Sequence, residues 1–230
     1  MFKLSIVIPV YNEQRNLLNL TYEILKKFKN FRSFEVIFVD DNSTDNSYQV
    51  LNLIQKKYKN FKVIFLKNRT RDLSTSVLVG AKSAKSNLVA VMDGDLQHCP
   101  NDLLKMYFSF STFTDIIIGC RNLNFKNKSR KLTISRLIAS KLIIIIINIL
   151  LGYKTSDPMS GCFIFKKNLI KYKSNFYAAG FKILLDLIYS TKKNIQIKDF
   201  RINFRYRLAE YSKMNLNVLI HIVRSILKKV

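Results

Sequence analysis

The feature that most constrains this chain is an alternation. From its first residues, short β-branched runs take turns with longer segments of helical period. Leu4–Val10, Phe34–Asp40, Phe61–Leu66, Leu88–Met92 and Thr114–Gly119 read as strands, and Glu13–Phe28, Thr44–Lys57, Leu73–Ala84 and Pro100–Phe110 as the helices between them. Such a rhythm predicts an α/β fold, a mostly parallel sheet flanked by helices, with a nucleotide-binding unit in the first half. A length of 230 residues suits one large domain, or a domain with a small appendage, with enough apolar content for a core.

In sheets of this kind the ligand lies beyond the carboxyl ends of the strands. Those ends carry Pro9-Val10-Tyr11-Asn12-Glu13, Asp40-Asp41-Asn42-Ser43 and Asp93-Gly94-Asp95-Leu96-Gln97-His98. The whole chain has only 15 acidic residues, so four of them at two strand ends point to a site and not to a random draw. Asp93 and Asp95, one residue apart after a strand, can hold a hard divalent cation and leave coordination positions for a diphosphate, with Gln97 and His98 as further candidate ligands. The plainer alternative is a solvated turn with an Asp cap before the helix at Pro100. Ser43, Thr44 and Asp45 are explained by capping alone. The adjacent Asp40 and Asp41 are not, and one of them could accept hydrogen bonds from a base or ribose.

The second half changes character. A basic, Asn-rich stretch at Asn122–Arg130 precedes Leu132–Leu151, which is apolar apart from scattered polar residues and the cations Arg136 and Lys141. Beyond the turn at Ser156-Asp157-Pro158, a strand at Gly161–Phe165, a helix near Lys182–Ser190 and an extended Ile195–Arg205 are expected. Leu216–Val230 then sets Leu219, Ile222, Val223, Ile226, Leu227 and Val230 on one face, an amphipathic basic helix. The longest apolar run, Leu142–Leu151, is about half of the ~20 residues a spanning helix requires.

Thirty-nine Lys and Arg give a formal charge of +24, which draws the chain toward a polyanion, although part of it can be solvated surface. No aromatic-basic reading motif accompanies it, which argues against nucleic acid. Cys99, Cys120 and Cys162 lack metal-site or redox spacing, and no leader pattern opens the chain, so a reduced, cytoplasmic setting is expected.

The three strand-end segments, together and in this order, resemble the GT-A glycosyltransferases of family 2, in particular the dolichol-phosphate mannosyltransferase and polyprenyl-phosphate glycosyltransferase group. The resemblance runs from Leu4 to about Met214, which implies a catalytic domain over residues 1–214 and an interfacial helix over 215–230. It implies transfer of a mannose- or glucose-type sugar, with inversion, from a GDP- or UDP-sugar to a polyprenyl or dolichyl phosphate, with Mg²⁺ or Mn²⁺ at the diphosphate. Carried over position by position, Pro9, Tyr11 and Glu13 are similar to the family's nucleotide-contacting opening, and Asp40 and Asp41 to its base- and ribose-binding acids. Asp93, Asp95 and Gln97 are similar to its metal and diphosphate group, with Asp95 and Gln97 foremost among them as direct ligands. Arg121, Arg136 and Ser140 resemble an acceptor-phosphate clamp, and Ser160 and Gly161 a turn closing the sugar pocket. Arg207, Ser212 and Lys213 match an Arg-x4-Ser-Lys element that approaches the phosphates.

Two segments depart from the pattern: Asp72-Leu73-Ser74 stands for the family's Gly-Leu-Gly, and Glu210-Tyr211 for the usual Gly-Glu. The membrane spans of many relatives have no counterpart here, so the resemblance implies peripheral association with the inner face of the membrane, through amphipathic segments or a membrane partner subunit. A lipid phosphate is already ionised and needs positioning more than a general base. Asp93, Asp95, Arg121 and Arg136 are thus the residues expected to carry catalysis. Two rival readings are a family 2 enzyme with a soluble acceptor and a non-catalytic basic membrane-binding protein.

Overall fold

A computed structural model of the chain describes residues 2–67, 71–121, 154–171, 183–189 and 194–205, together with Ile144, Ile145, Ile147, Ile149 and Gly152. Seven strands form one sheet: β1 (Leu4–Val10), β2 (Phe34–Asp41), β3 (Phe61–Leu66), β4 (Leu88–Val91), β5 (Ile116–Arg121), β6 (Phe163–Lys166) and β7 (Ile197–Ile202). Their order is β3-β2-β1-β4-β6-β5-β7. All pairings are parallel except those of β6, which runs antiparallel between β4 and β5. This insertion of a late strand was not expected from the sequence. It separates β4 from β5, which a reading in chain order would have set side by side.

The helices are α1 (Gln14–Lys27), α2 (Ser47–Lys57), α3 (Leu73–Ser83), α4 (Pro100–Phe108) and α5 (Ile183–Tyr189), with a 3₁₀ turn at Lys167–Lys171. Every residue of β1 and β2 is buried, as strands covered on both faces require. Their side chains alternate between two apolar layers. Leu4, Ile6, Ile8, Val36 and Phe38 meet Leu17, Leu20, Leu51 and Leu103 on one side. Val7, Ile37, Val39, Val89 and Phe163 meet Val77, Ala81, Leu184 and Leu187 on the other. Leu17, Leu20, Thr21 and Ile24 supply the buried stripe of α1 at the spacing of a helix.

Pro9 lies in β1 although β1 is internal to the sheet. It is tolerated because β4 pairs only with Ser5, Ile6 and Val7, so the amide that Pro9 lacks lies beyond that ladder. The expected start of α2 at Thr44 moves to Ser47, because the intervening residues are used in loop bonds. The Thr44 amide donates to Asn12 Oδ1 (2.8 Å), and the Asn46 amide to Gln14 Oε1 (3.2 Å).

Of the apolar run Leu142–Leu151, only Ile144, Ile145, Ile147 and Ile149 are described. They are helical, with Ile144 and Ile147 buried and Ile145 and Ile149 exposed. Among the described residues no helix is long and apolar enough to cross a membrane.

Candidate active site

The sheet order reverses between β1 and β4, and the crevice above that point is where a doubly wound sheet takes its ligand. The loops leaving β1, β2 and β4 all open there. Each contains one non-glycine residue with left-handed backbone: Asn12 (φ 55°), Asn42 (φ 62°) and Leu96 (φ 63°). Asn tolerates this conformation, whereas for Leu it is a strained geometry of the sort that gathers at functional sites.

The first two loops are stitched together. Ser43 Oγ accepts from the Asn12 amide (2.9 Å), Ser47 Oγ from the Glu13 amide (3.0 Å) and Asp45 from the Gln14 amide (3.2 Å). Asp40, at the end of β2, accepts from both the amide and the hydroxyl of Ser43. Burial pushes its carboxyl above the usual range, and the Ser43 bonds offset that in part. Asp41 is buried too, and its Oδ2 accepts from the Asp72 amide (2.7 Å). Asp72 in turn caps α3 through the Ser74 and Thr75 amides, so the segment that departs from Gly-Leu-Gly is a helix cap tied to the β2 acid.

Arg71 places its guanidinium 4.1 Å from the centre of the Tyr11 ring. This exposed cation at the mouth of the crevice was not foreseen, and no local pattern links it to Tyr11, sixty residues away in the chain.

The β4 loop brings both expected metal-site carboxylates to the switch point. Asp93 is partly exposed, 38% for its side chain, while Asp95 is buried and accepts from the Gln97 amide (3.1 Å). Neither caps α4, whose N-cap is Cys99 with no side-chain bond, so the solvated-cap alternative does not account for them. Gln97 turns its side-chain nitrogen to the Arg205 carbonyl (3.2 Å), and its backbone carbonyl accepts from the Arg205 amide (2.8 Å). His98, offered by the sequence as a further ligand, is 1% exposed in its side chain and faces Asp93 across 3.2 Å.

Among the described residues no three His, Cys, Asp or Glu side chains converge as a metal cage. Two carboxylates at a crevice nonetheless fit a cation of the Mg²⁺ type, which is commonly held by one or two carboxylates and completed by substrate phosphates.

The wall beyond β4 comes from β5 and the turn before β6. Arg121 grips Asp157 with a fork, Nε to Oδ2 at 2.7 Å and Nη2 to Oδ1 at 2.8 Å, and its backbone amide donates to the same carboxylate (3.1 Å). Burial acts to discharge the guanidinium, but the bonds and charge of Asp157 outweigh it and hold the pKa above its ordinary value. Arg121 thus sits in the site with two nitrogens committed to the protein, and Nη1 takes no part in the fork.

Ser160 is buried. Its hydroxyl donates to the Gly119 carbonyl (2.6 Å) and accepts from the Cys162 amide (3.1 Å), so it shapes the turn. Gly161 lies against Asp93: a Cβ there would be 2.8 Å from Asp93 Cγ. Asp199 of β7 fastens the same turn through Thr155 (2.6 Å) and Ser156 (2.7 Å). Arg136, Ser140, Arg207, Ser212 and Lys213, like the segment 215–230, lie outside the described residues.

Residues 5–172 match the model of a family described as glycosyl transferase family 2. The chain belongs to glycosyl transferase family 2. This family 2 chain is 29% identical over 226 residues to a dolichol-phosphate mannosyltransferase of Pyrococcus furiosus, covering 97% of the chain and 62% of that protein. It therefore spans less than two thirds of that relative. The dolichol-phosphate mannosyltransferase of Saccharomyces cerevisiae is 28% identical over 233 residues, with 96% of the chain and 85% of that protein covered.

Among solved structures, glucosyl-3-phosphoglycerate synthase from Mycobacterium tuberculosis, in complex with Mn²⁺, UDP-glucose and phosphoglyceric acid, superposes with a TM-score of 0.69 at 15% identity. That match covers 99% of the chain and 79% of the synthase. At such identity the likeness establishes a shared fold, and it agrees with the GT-A architecture expected from the motifs.

Proposed function

We propose that this family 2 chain transfers a sugar from a nucleotide-sugar to a polyprenyl or dolichyl phosphate at the cytoplasmic face of a membrane, with inversion at the anomeric carbon. The observation that carries the reading is that Asp40 and Asp41 at the end of β2, Asp93 and Asp95 after β4 and Arg121 at the end of β5 share the carboxyl edge of one sheet, in a chain similar over nearly all its length to dolichol-phosphate mannosyltransferases. Asp40 and Asp41, beside Tyr11 and Glu13, take the base and ribose. Asp93 and Asp95 would hold Mn²⁺ or Mg²⁺ against the donor diphosphate, with Gln97 beside them, and the bound cation would neutralise the leaving group.

The acceptor is an anion approaching an anionic donor. Arg121 and Arg136 of the expected clamp, with Arg207 and Lys213 of the Arg-x4-Ser-Lys element, supply the cationic side that lowers their mutual repulsion, and Ser140 and Ser212 add hydroxyl donors. Ser160 and Gly161 contribute by fixing the wall against which Asp93 rests. Exposed Ile145 and Ile149, next to buried Ile144 and Ile147, support a helix with one side on the core and the other available to an acyl boundary. The basic segment 215–230, or a membrane partner subunit, adds to that attachment.

The decisive assay offers GDP-mannose and UDP-glucose, each with Mn²⁺ or Mg²⁺, to the chain in vesicles containing polyprenyl phosphate, and measures labelled sugar entering the organic phase. Transfer that occurs only to soluble glycans or soluble phosphates would overturn the lipid reading.

A further inference from the structure

We infer that His98 is a positioning residue, one that holds the carboxylate of Asp93 in the orientation a cation at the end of β4 requires; this rests on the proposed metal role of Asp93. A carboxylate can only accept, so the 3.2 Å contact from His98 Nε2 to Asp93 Oδ2 makes Nε2 the protonated nitrogen. The imidazole is buried, and its Nδ1 has no hydrogen-bond partner among the described residues. A histidine retained for packing would normally satisfy both nitrogens, and Phe or Leu would fill the space without leaving a dry acceptor. What His98 supplies that those residues cannot is the single bond to Asp93.

The ring is kept in place. Phe204 crosses it edge to face with centroids 5.1 Å apart. Phe204 is itself flanked by anchored backbone, since the Asn203 amide donates to buried Asp102 (2.8 Å) and the Arg205 amide to the Gln97 carbonyl (2.8 Å). Gly161 forms a second wall against the carboxylate, 2.8 Å from Asp93 Cγ to where its Cβ would stand. With Oδ2 engaged by His98, and with no hydrogen bond to Oδ1 among the described residues, Oδ1 is the oxygen left to the cation. Partners that orient a ligating side chain in this manner typically change metal affinity by about 10–100-fold.

The test is a Mn²⁺ titration of the full chain with GDP and with UDP, following free Mn²⁺ by electron paramagnetic resonance. His98→Phe fills the space without a donor and should raise the half-saturating Mn²⁺ concentration about tenfold. His98→Gln, whose amide nitrogen can take the place of Nε2, should stay near the native value. Metal-free binding of the nucleosides guanosine and uridine should be unchanged in both. Should His98→Phe fail to fold, His98→Asn replaces it with the same expectation, because its amide nitrogen falls at the Nδ1 position, short of Asp93. A native Mn²⁺ dependence in His98→Phe, or equal loss in His98→Gln, would overturn the inference while leaving the metal reading intact. If the native chain shows no Mn²⁺-dependent nucleotide binding, the metal reading itself fails, and the role of His98 with it.

Discussion

At the scale of residues, the site depends on a few atoms whose neighbours leave them little freedom. Leu96 has a backbone geometry that costs an L-residue roughly 1–2 kcal/mol, and its buried side chain helps to hold it there, between Asp95 and Gln97. Asp95→Ala removes one of two carboxylates. We expect it to abolish both transfer and the Mn²⁺-dependent rise in melting temperature on adding nucleotide, with the metal-free melting curve shifted far less; undiminished transfer would remove Asp95 from the site. Gly161→Ala is the complementary experiment, because its methyl would need the space of the Asp93 carboxylate. A fall in kcat of tenfold or more, on the order of a 1.4 kcal/mol change in barrier, is expected with the secondary structure intact by circular dichroism.

At the scale of elements, the end of β5 and the turn before β6 are joined by Arg121 and Asp157, the latter only 1% exposed in its side chain. Removing one member of a buried pair costs roughly 3–5 kcal/mol. Arg121 retains some contact with solvent, so Asp157→Ala belongs at the lower end of that range, read as a loss of stability in urea denaturation. Arg121→Lys keeps the charge but loses the fork. It should be destabilised less than Asp157→Ala while its transfer rate drops at least as far; if Arg121→Lys transfers normally, the guanidinium serves the fold and not the acceptor.

At the scale of the whole molecule, two properties follow from burial and charge. Burial pushes the Cys120 thiol up to about 12 and raises that of Cys162 as well, whereas Cys99 is only partly covered. In the folded state, therefore, Cys99 alone should react quickly with a thiol reagent at pH 8. Because the unfolded thiols ionise near 9 and the folded ones keep their protons, the unfolded chain binds fewer protons between those values. Stability should then fall as pH rises from about 9 toward 12, by up to ~1.4 kcal/mol per pH unit for each buried thiol, as read from urea midpoints. The charge of +24 makes the second prediction. The chain should sediment with anionic vesicles at low salt and be partly released at high salt, since each cation near such a surface contributes on the order of 1 kcal/mol that salt screens. Indifference to anionic vesicles at low salt would leave the exposed isoleucines without a membrane role.

The sequence alone determined the alternation of strands and helices, the family, and the acids at the strand ends. These follow from local period and from motifs a few residues long, such as Asp93-Gly94-Asp95 and Asp40-Asp41. It could not place β6, because an antiparallel strand inserted between β4 and β5 is decided by long-range pairing and not by the apolar run that forms it. Nor could it tell that Asp157 would hold Arg121, that the Arg71 guanidinium would lie over Tyr11, or that His98 would be buried with its Nε2 against Asp93. These partners, apart from the neighbouring His98 and Asp93, lie tens of residues apart in the chain. Which atoms of a polar side chain remain for a ligand is decided only when tertiary packing brings in the groups that occupy the others.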